Sequence, residues 1–354
     1  MSPMFWLNHI LNYILPLLSC SIDAKKFKKY LLALILEDKY FSVRRFSKTT
    51  QEYTLDQFYY FLKTKINWHM IFCRLAKLVI VLFGSVGFYL VSDGTPLKQV
   101  YARYRIAKHG HISIKGMKNV PQNELISVGL TNGIIYIPML WDIWVSPKVS
   151  KKSDYKTKTD IFLNLLKKFL LLKIPVKTIM FDSFFTSKAI LQWLNKNKFD
   201  FTTRIKKNRT IYIDGTKSLV QDLKLKVDES VICTIKGIQE QVKILMFYHK
   251  DEEVYVCSNN IRLSNPELKA EYKSRWHVEV FHRESKQKLG LENFQVEEWQ
   301  KLVNHVGFVC LAYSILTILR QKSIGSVGDV KFKLQDEVYG ISSSTDTFEM
   351  KLAS

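Results

Sequence analysis

Cysteine is scarce and scattered. The five residues Cys20, Cys73, Cys233, Cys257 and Cys310 are odd in number and form no C-x-x-C pair, which argues against a disulfide framework or a zinc ribbon and fits a reducing compartment. Glycine, at 14, and proline, at 8, are too few for a collagen-like or disordered chain. No apolar run reaches the about 20 residues of an ordinary membrane span. The most hydrophobic run, Leu78 to Val91, reads as a buried element leading into a central strand, with a polar exit at Ser92-Asp93-Gly94-Thr95-Pro96. Near the start, Met4 to Leu18 is interrupted by Asn8, His9 and Asn12 with no basic region before it, so a signal peptide is not expected. Acids are also in short supply, since 32 Asp and Glu face 53 Lys and Arg for a net charge of +21. That excess does not suit an ordinary enzyme of small neutral substrates. It points to a polyanion, nucleic acid first and an anionic membrane surface second.

What remains is a chain of 354 residues, 47% hydrophobic, long enough for a sizeable core and, at about 100–200 residues each, for about two domains. Residues 1–70 carry helical spacing in Tyr30 to Leu36 and in Phe58 to Ile66, with a helix start at Thr54 to Gln57 and a basic connection at Ser42 to Ser47. Short helices joined by basic turns suit a DNA-binding domain, and equally a bundle that only packs on the rest. Glu124 to Leu130 and Ile134 to Pro138 flank Thr131-Asn132-Gly133, a hairpin signal. A helix over about 158–173, a strand over 176–181 ending at Asp182, a helix over about 187–196 and a strand over 201–205 then describe a mixed α/β sheet. Residues 207–262 are rich in Val, Ile, Thr and Tyr and form a β-rich insertion. Helical periodicity resumes at Asn265-Pro266, taken as N-cap and N1, runs to about Leu289, and returns over about 297–320. The tail from 323 to 354 is expected to be loosely ordered.

On the helix from Pro266 to Leu289, Tyr272, Arg275, Glu279 and Lys286 fall within about 60° of one face at about 100° per residue. Val278, Phe281 and Leu289 form a separate apolar stripe. Geometry alone allows a plain reading, an i,i+4 ion-pair ladder of Glu271, Arg275, Glu279 and Arg283 on a solvated face.

The spacing Tyr272-x2-Arg275-x3-Glu279-x6-Lys286, with Arg275-Trp276-His277-Val278-Glu279 and Lys286-Gln287-Lys288-Leu289-Gly290-Leu291 around it, resembles the Y-R-E-K signature of DDE transposases from bacterial insertion sequences. The resemblance covers about residues 75–320. It implies an RNase H-like mixed sheet flanked by helices, with the β-rich insertion before the Glu-bearing helix and a helical N-terminal domain that binds DNA ends. The catalytic domain would then span 71–322. It also implies a metal-binding carboxylate triad of Glu279 with two strand-end aspartates. Asp182, in Phe181-Asp182-Ser183, matches the second position and Asp93 the first; Asp142 is a poorer rival, read as structural.

Such a triad suits Mg²⁺ or Mn²⁺, by the resemblance as two ions, because hard cations take carboxylate oxygens while keeping waters and substrate phosphate in their shell. By the same resemblance Tyr272, Arg275 and Lys286 hold DNA phosphate. Arg204, Lys206, Lys207 and Arg209 either line the DNA path or form a solvated basic loop. Trp276 and Trp299 either stack on an extruded base or are buried in the core. His109 and His111 form a possible but unsupported metal pair. The implied partners are double-stranded DNA at terminal inverted repeats, target DNA and a second copy of the chain in a cytoplasmic homodimer on DNA. Two competing readings are a non-catalytic DNA-binding relative and a basic peripheral membrane protein.

Overall fold

The computed structural model describes residues 2–37, 43–50, 52–84, 87–98, 108–109, 121–147, 154–249, 251–294, 296, 298–320 and 325–339. Five helices come first: α1 (Pro3–Ile14), α2 (Ala24–Leu36), α3 (Val43–Thr50), α4 (Leu55–Phe61) and α5 (Trp68–Phe83). Their starts are written locally. Ser2, Asp23 and Asn67 accept backbone N–H groups at the starts of α1, α2 and α5, and Thr54 with Gln57 closes a capping box on α4. The basic connection expected at 42–47 is mostly helix, since α3 begins at Val43.

The run Leu78 to Val91 is not one element. Gly84 and Gly87 adopt positive φ, +83° and +89°, which ends α5 after Phe83 and turns the chain into β1 (Tyr89–Lys98). There follow β2 (Lys108–His109), β3 (Pro121–Thr131) and β4 (Tyr136–Trp144). The hairpin forms at the expected place, and Asn132 Oδ1 accepts from the backbone N–H groups of both Ile134 and Ile135 at 3.1 Å.

The chain continues through α6 (Lys158–Leu170), β5 (Ile179–Phe181), α7 (Lys188–Lys196) and β6 (Phe201–Arg204). Strand β3 runs antiparallel to β1 and β4, while β1, β5 and β6 are parallel. The resulting order, β4-β3-β1-β5-β6, gives the mixed sheet of an RNase H-like fold.

The β-rich segment supplies β7 (Thr210–Ile213), β8 (Thr216–Leu219), β9 (Ser230–Ile235), β10 (Gln241–His249) and β11 (Glu252–Ser258). It extends the same sheet: β11 pairs antiparallel with β6, and the order runs on through β10, β9, β7 and β8.

The expected single helix from Pro266 to Leu289 is two, α8 (Asn265–Lys273) and α9 (Trp276–Lys288). The Ser274 hydroxyl donates to the Ala270 carbonyl while the turn tightens into i→i+3 bonds from Arg275 to Tyr272 and from Val278 to Arg275. The N-cap of α8 is Ser264, in a capping box with Glu267, so Asn265 is already helical. Then come α10 (Trp299–Arg320) and α11 (Val327–Tyr339). The last replaces part of the loosely ordered tail: Ser326 and Asp329 cap each other's backbone, and Val327, Val330 and Leu334 are buried.

Helix α10 is long and apolar enough to cross a membrane by length and composition, yet it is almost wholly buried in the protein. It packs on α2, β4, α11, α1, α9 and α5, so the boundary expected near residue 70 does not divide the packing.

His305 of α10 joins these parts. Its Nδ1 lies 2.9 Å from the Tyr30 hydroxyl of α2 and its Nε2 lies 3.0 Å from the Gly290 carbonyl. The carbonyl only accepts, so Nε2 carries the proton and Nδ1 accepts from Tyr30. Burial lowers the pKa from 6.5 to about 4. The unfolded chain therefore binds this proton first, and the stability contributed by neutral His305 is complete above pH 6.5 and lost as pH falls toward 4. Between pH 7 and pH 4 the wild type should lose about 3 kcal/mol more unfolding free energy than His305→Asn, measured by urea titration. Equal losses would reject the assignment.

Candidate active site

The registers decide where the three acids fall. Ser92 of β1 is level with Phe181 of the parallel neighbour β5. Asp93 and Asp182, each one residue further along, are therefore at the same height on adjacent strands, but only Asp182 is at a strand end: Asp93 lies within β1, which stays paired with β3 as far as Lys98. Arg204 follows Thr203, itself level with Phe181 on β6. Helix α9 packs against β1 and brings Glu279 to this edge.

One guanidinium links the first and third acids. Arg275 Nη1 donates to Asp93 Oδ2 at 3.0 Å, and Nη2 donates to Glu279 Oε1. Asp93 Oδ1 accepts from the Gly94 backbone at 2.8 Å. Asp182 Oδ2 instead accepts from Phe184 N at 3.2 Å and the Ser183 hydroxyl at 3.3 Å, capping a short 3₁₀ turn. Burial raises the Asp93 carboxyl pKa to about 6; Arg275 and the Gly94 amide oppose the shift, while the charges of Asp182 and Glu279 add to it. Asp93, Asp182 and Glu279 thus share one electrostatic neighbourhood. They do not form a closed cage in this conformation: among the described residues no three His, Cys, Asp or Glu side chains are grouped so as to hold an ion. The donors have the right chemistry for a hard cation, and Arg275 stands between two of them.

The remaining signature residues arrive from different elements. Tyr272 lies on α8, with the Arg275 guanidinium carbon 5.7 Å from its ring centre. Burial raises its hydroxyl pKa, and Arg275 opposes that shift. Lys286 on α9 donates to the Pro96 carbonyl at 2.7 Å and pairs with Glu292 at 3.0 Å. The break at Ser274 and Arg275 puts Tyr272 on a different helix from Glu279 and Lys286, so the four do not share one helix face as expected. The ion-pair ladder does not form either: Glu271 is buried and accepts from the Thr202 hydroxyl at 2.6 Å, leaving only the Arg275 to Glu279 pair.

The basic run divides. Arg204 faces Glu252 at 3.6 Å and Lys207 pairs with Glu253 at 2.8 Å. Lys206 and Arg209 line a cavity of about 410 Å³ with Ser183, Phe184, Thr186 and Asn208, beside the turn that Asp182 caps. Trp276 and Trp299 are 42% and 38% exposed, so neither is a core residue. Asp142 lies on β4 opposite Ile126, with its Oδ1 on the Ile143 amide. His111 lies outside the described residues, so the pair with His109 is not described.

His282, buried and 3.2 Å from the Ser127 hydroxyl, was not expected at the site. Ser127 is directly opposite Asp93 in the sheet, so His282 packs immediately beside the acidic edge. Burial, with the charges of Lys286 and Arg275, lowers its pKa to about 3. Its position three residues after Glu279 on α9 is the sequence signal that could have found it.

A family model described as DDE superfamily endonuclease matches residues 16–223, more than half of the chain, and a transposase DDE domain matches 151–315. The chain belongs to the DDE endonuclease superfamily. The first match contains Asp93 and Asp182, and the second contains Asp182 and Glu279. Comparison with curated proteins finds no significant match. Membership in the DDE superfamily supports a transposase-type nuclease function with DNA as partner, in a group of enzymes that generally use divalent metals.

Proposed function

We propose that this protein is a DNA transposase in which Asp93, Asp182 and Glu279 hold Mg²⁺ or Mn²⁺, as two ions, against a phosphodiester at an element end. The observation that carries the proposal is that Arg275 joins Asp93 of β1 to Glu279 of α9, while the register of β1 on β5 sets Asp93 level with Asp182. When bound, the metal pair supplies an activated water or 3′-hydroxyl on one side of the phosphorus and stabilises the leaving oxygen on the other.

The chain's own residues position the DNA. Arg275 offers a planar fork and Lys286 a point charge to phosphate oxygens, with Tyr272 beside them. Lys206 and Arg209 extend the path next to Asp182, and the exposed ring of Trp299 offers a stacking surface to an unstacked base. The substrates are duplex DNA carrying terminal inverted repeats and a target duplex, handled by a homodimer in the bacterial cytoplasm. The burial of α10 and the division of Leu78 to Val91 between α5 and β1 favour DNA over a membrane as the partner of the basic chain.

The test is nicking of an end-bearing duplex. Cleavage in Mg²⁺ or Mn²⁺ that stops with chelator is expected. DNA binding without cleavage in either metal would favour the non-catalytic relative, a reading that the Arg275-bridged site also allows.

Phosphate contacts have a separate signature, because each one lost lowers the slope of log affinity against log salt by about 1. Lys206→Ala and Arg209→Ala should each do so in a fluorescence-anisotropy titration. Lys207→Ala, whose ammonium is already paired with Glu253, should change the slope less. An unchanged slope for the first two variants would remove that loop from the DNA path.

A further inference from the structure

We propose that Arg275 is the cation of the metal-free acidic site, and that divalent ions enter as DNA phosphate draws its guanidinium away, so that metal and DNA bind cooperatively. The inference rests on the reading of Asp93, Asp182 and Glu279 as metal ligands. It goes beyond it by giving Arg275 two alternating partners.

The first partner is seen directly. The guanidinium spans Asp93 on β1 and Glu279 on α9 with one nitrogen on each carboxylate. These are the acids that a metal would need to share, and among the described residues no three acids are grouped as a cage while it does so. A divalent ion brought to the same oxygens would face the full positive charge of the arginine at close range, in a setting where burial weakens solvent screening. Arginine cannot relieve that repulsion by losing its proton, so it has to move.

Three features fit movement rather than a permanent structural bridge. Arg275 Nε is buried without an acceptor, so the bridging pose leaves one of its five N–H groups unsatisfied. The residue stands at the junction of α8 and α9, where the helix is interrupted by i→i+3 bonds. It also lies against the Tyr272 ring, 5.7 Å from the guanidinium carbon, which offers a second resting surface. Phosphate is a fitting exchange partner, since it takes the same two-pronged fork that the carboxylates now share. Coupling of this kind is reciprocal: a factor by which DNA tightens metal binding is the factor by which metal tightens DNA binding.

The experiment measures Mn²⁺ binding to the full chain by electron paramagnetic resonance of free Mn²⁺, with and without a short duplex. Wild type without DNA should bind Mn²⁺ weakly, and Arg275→Gln should bind it about tenfold more tightly. The duplex should tighten Mn²⁺ binding to wild type and leave Arg275→Gln unchanged. Arg275→Lys, which keeps the charge but cannot span two carboxylates as a fork, should fall between them and carries the test if the glutamine variant does not fold. Equal Mn²⁺ affinity for wild type and both variants, with Glu279→Gln weakening all of them, would overturn the displacement while leaving the ligand reading intact. If Glu279→Gln and Asp182→Asn leave Mn²⁺ binding unchanged in every background, the ligand reading itself fails and the displacement with it.

Discussion

Asp182→Asn and Glu279→Gln are each expected to lower Mg²⁺-dependent nicking of an end-bearing duplex by about a thousandfold or more, a barrier increase of about 4 kcal/mol. Both changes keep the shape of the side chain and remove its charge. The local structure tolerates them: an asparagine oxygen at 182 still accepts from Phe184 N and Ser183, and Glu279 is partly exposed on α9 with Arg275 as its contact. DNA affinity should change by about threefold or less, because lysine and arginine hold the phosphates and the lost charges are anionic. Asp142→Asn is the control. Its carboxylate caps its own neighbour's amide on β4 and makes no contact with Arg275, so nicking should stay at the wild-type rate. Full nicking by either active-site variant, or equal damage from the Asp142 change, would show that the acids identified here are not the ones that matter.

The parts legible in the sequence are those written by local periodicity. An apolar run followed by an acid put Asp182 at the end of β5, whereas Tyr272, Arg275, Glu279 and Lys286 stood out only through the resemblance to the Y-R-E-K signature. Parallel pairing of β1 with β5 was not written there, because register between distant strands leaves no local pattern; it is what sets Asp93 level with Asp182. The junction at Ser274 and Arg275 escaped for another reason: serine and arginine are ordinary helix residues, and only the hydroxyl's bond to the Ala270 carbonyl shows the turn tightening. Gly84 and Gly87 did carry a stop signal, within a run read as one buried element leading into a strand. Helix α11 was masked in the same way, by Gly, Ser and Asp residues that serve as its cap. The bridging pose of Arg275 depends on two carboxylates from different elements, and no spacing along one helix could reveal it.

Gly307→Ala should destabilise the whole protein by roughly 3–6 kcal/mol, a large share of the about 5–15 kcal/mol that holds a typical domain folded. A Cβ built on Gly307 would lie 2.2 Å from Trp68 Cε2 and within 2.6 Å of two other indole carbons. The indole cannot retreat. Its Nε1 donates to Asn304 Oδ1 at 2.9 Å, and Asn304 Nδ2 donates to the carbonyls of Leu62 at 2.8 Å and Thr64 at 2.7 Å. Phe308, Phe27 and Trp141 rings stand 5.0, 6.0 and 6.2 Å from it. Relief of the clash therefore costs either backbone displacement of α10 or buried amide groups left without partners. Because Trp68 belongs to α5, Phe27 to α2 and Trp141 to β4, the strain falls on the N-terminal helices and the sheet together. Urea unfolding followed by tryptophan fluorescence and by far-ultraviolet circular dichroism should show one coincident transition, shifted to lower denaturant in the variant. Two separate transitions would mean that residues 1–70 fold as an independent unit after all, and a shift under about 1 kcal/mol would mean that the indole has room the packing does not show.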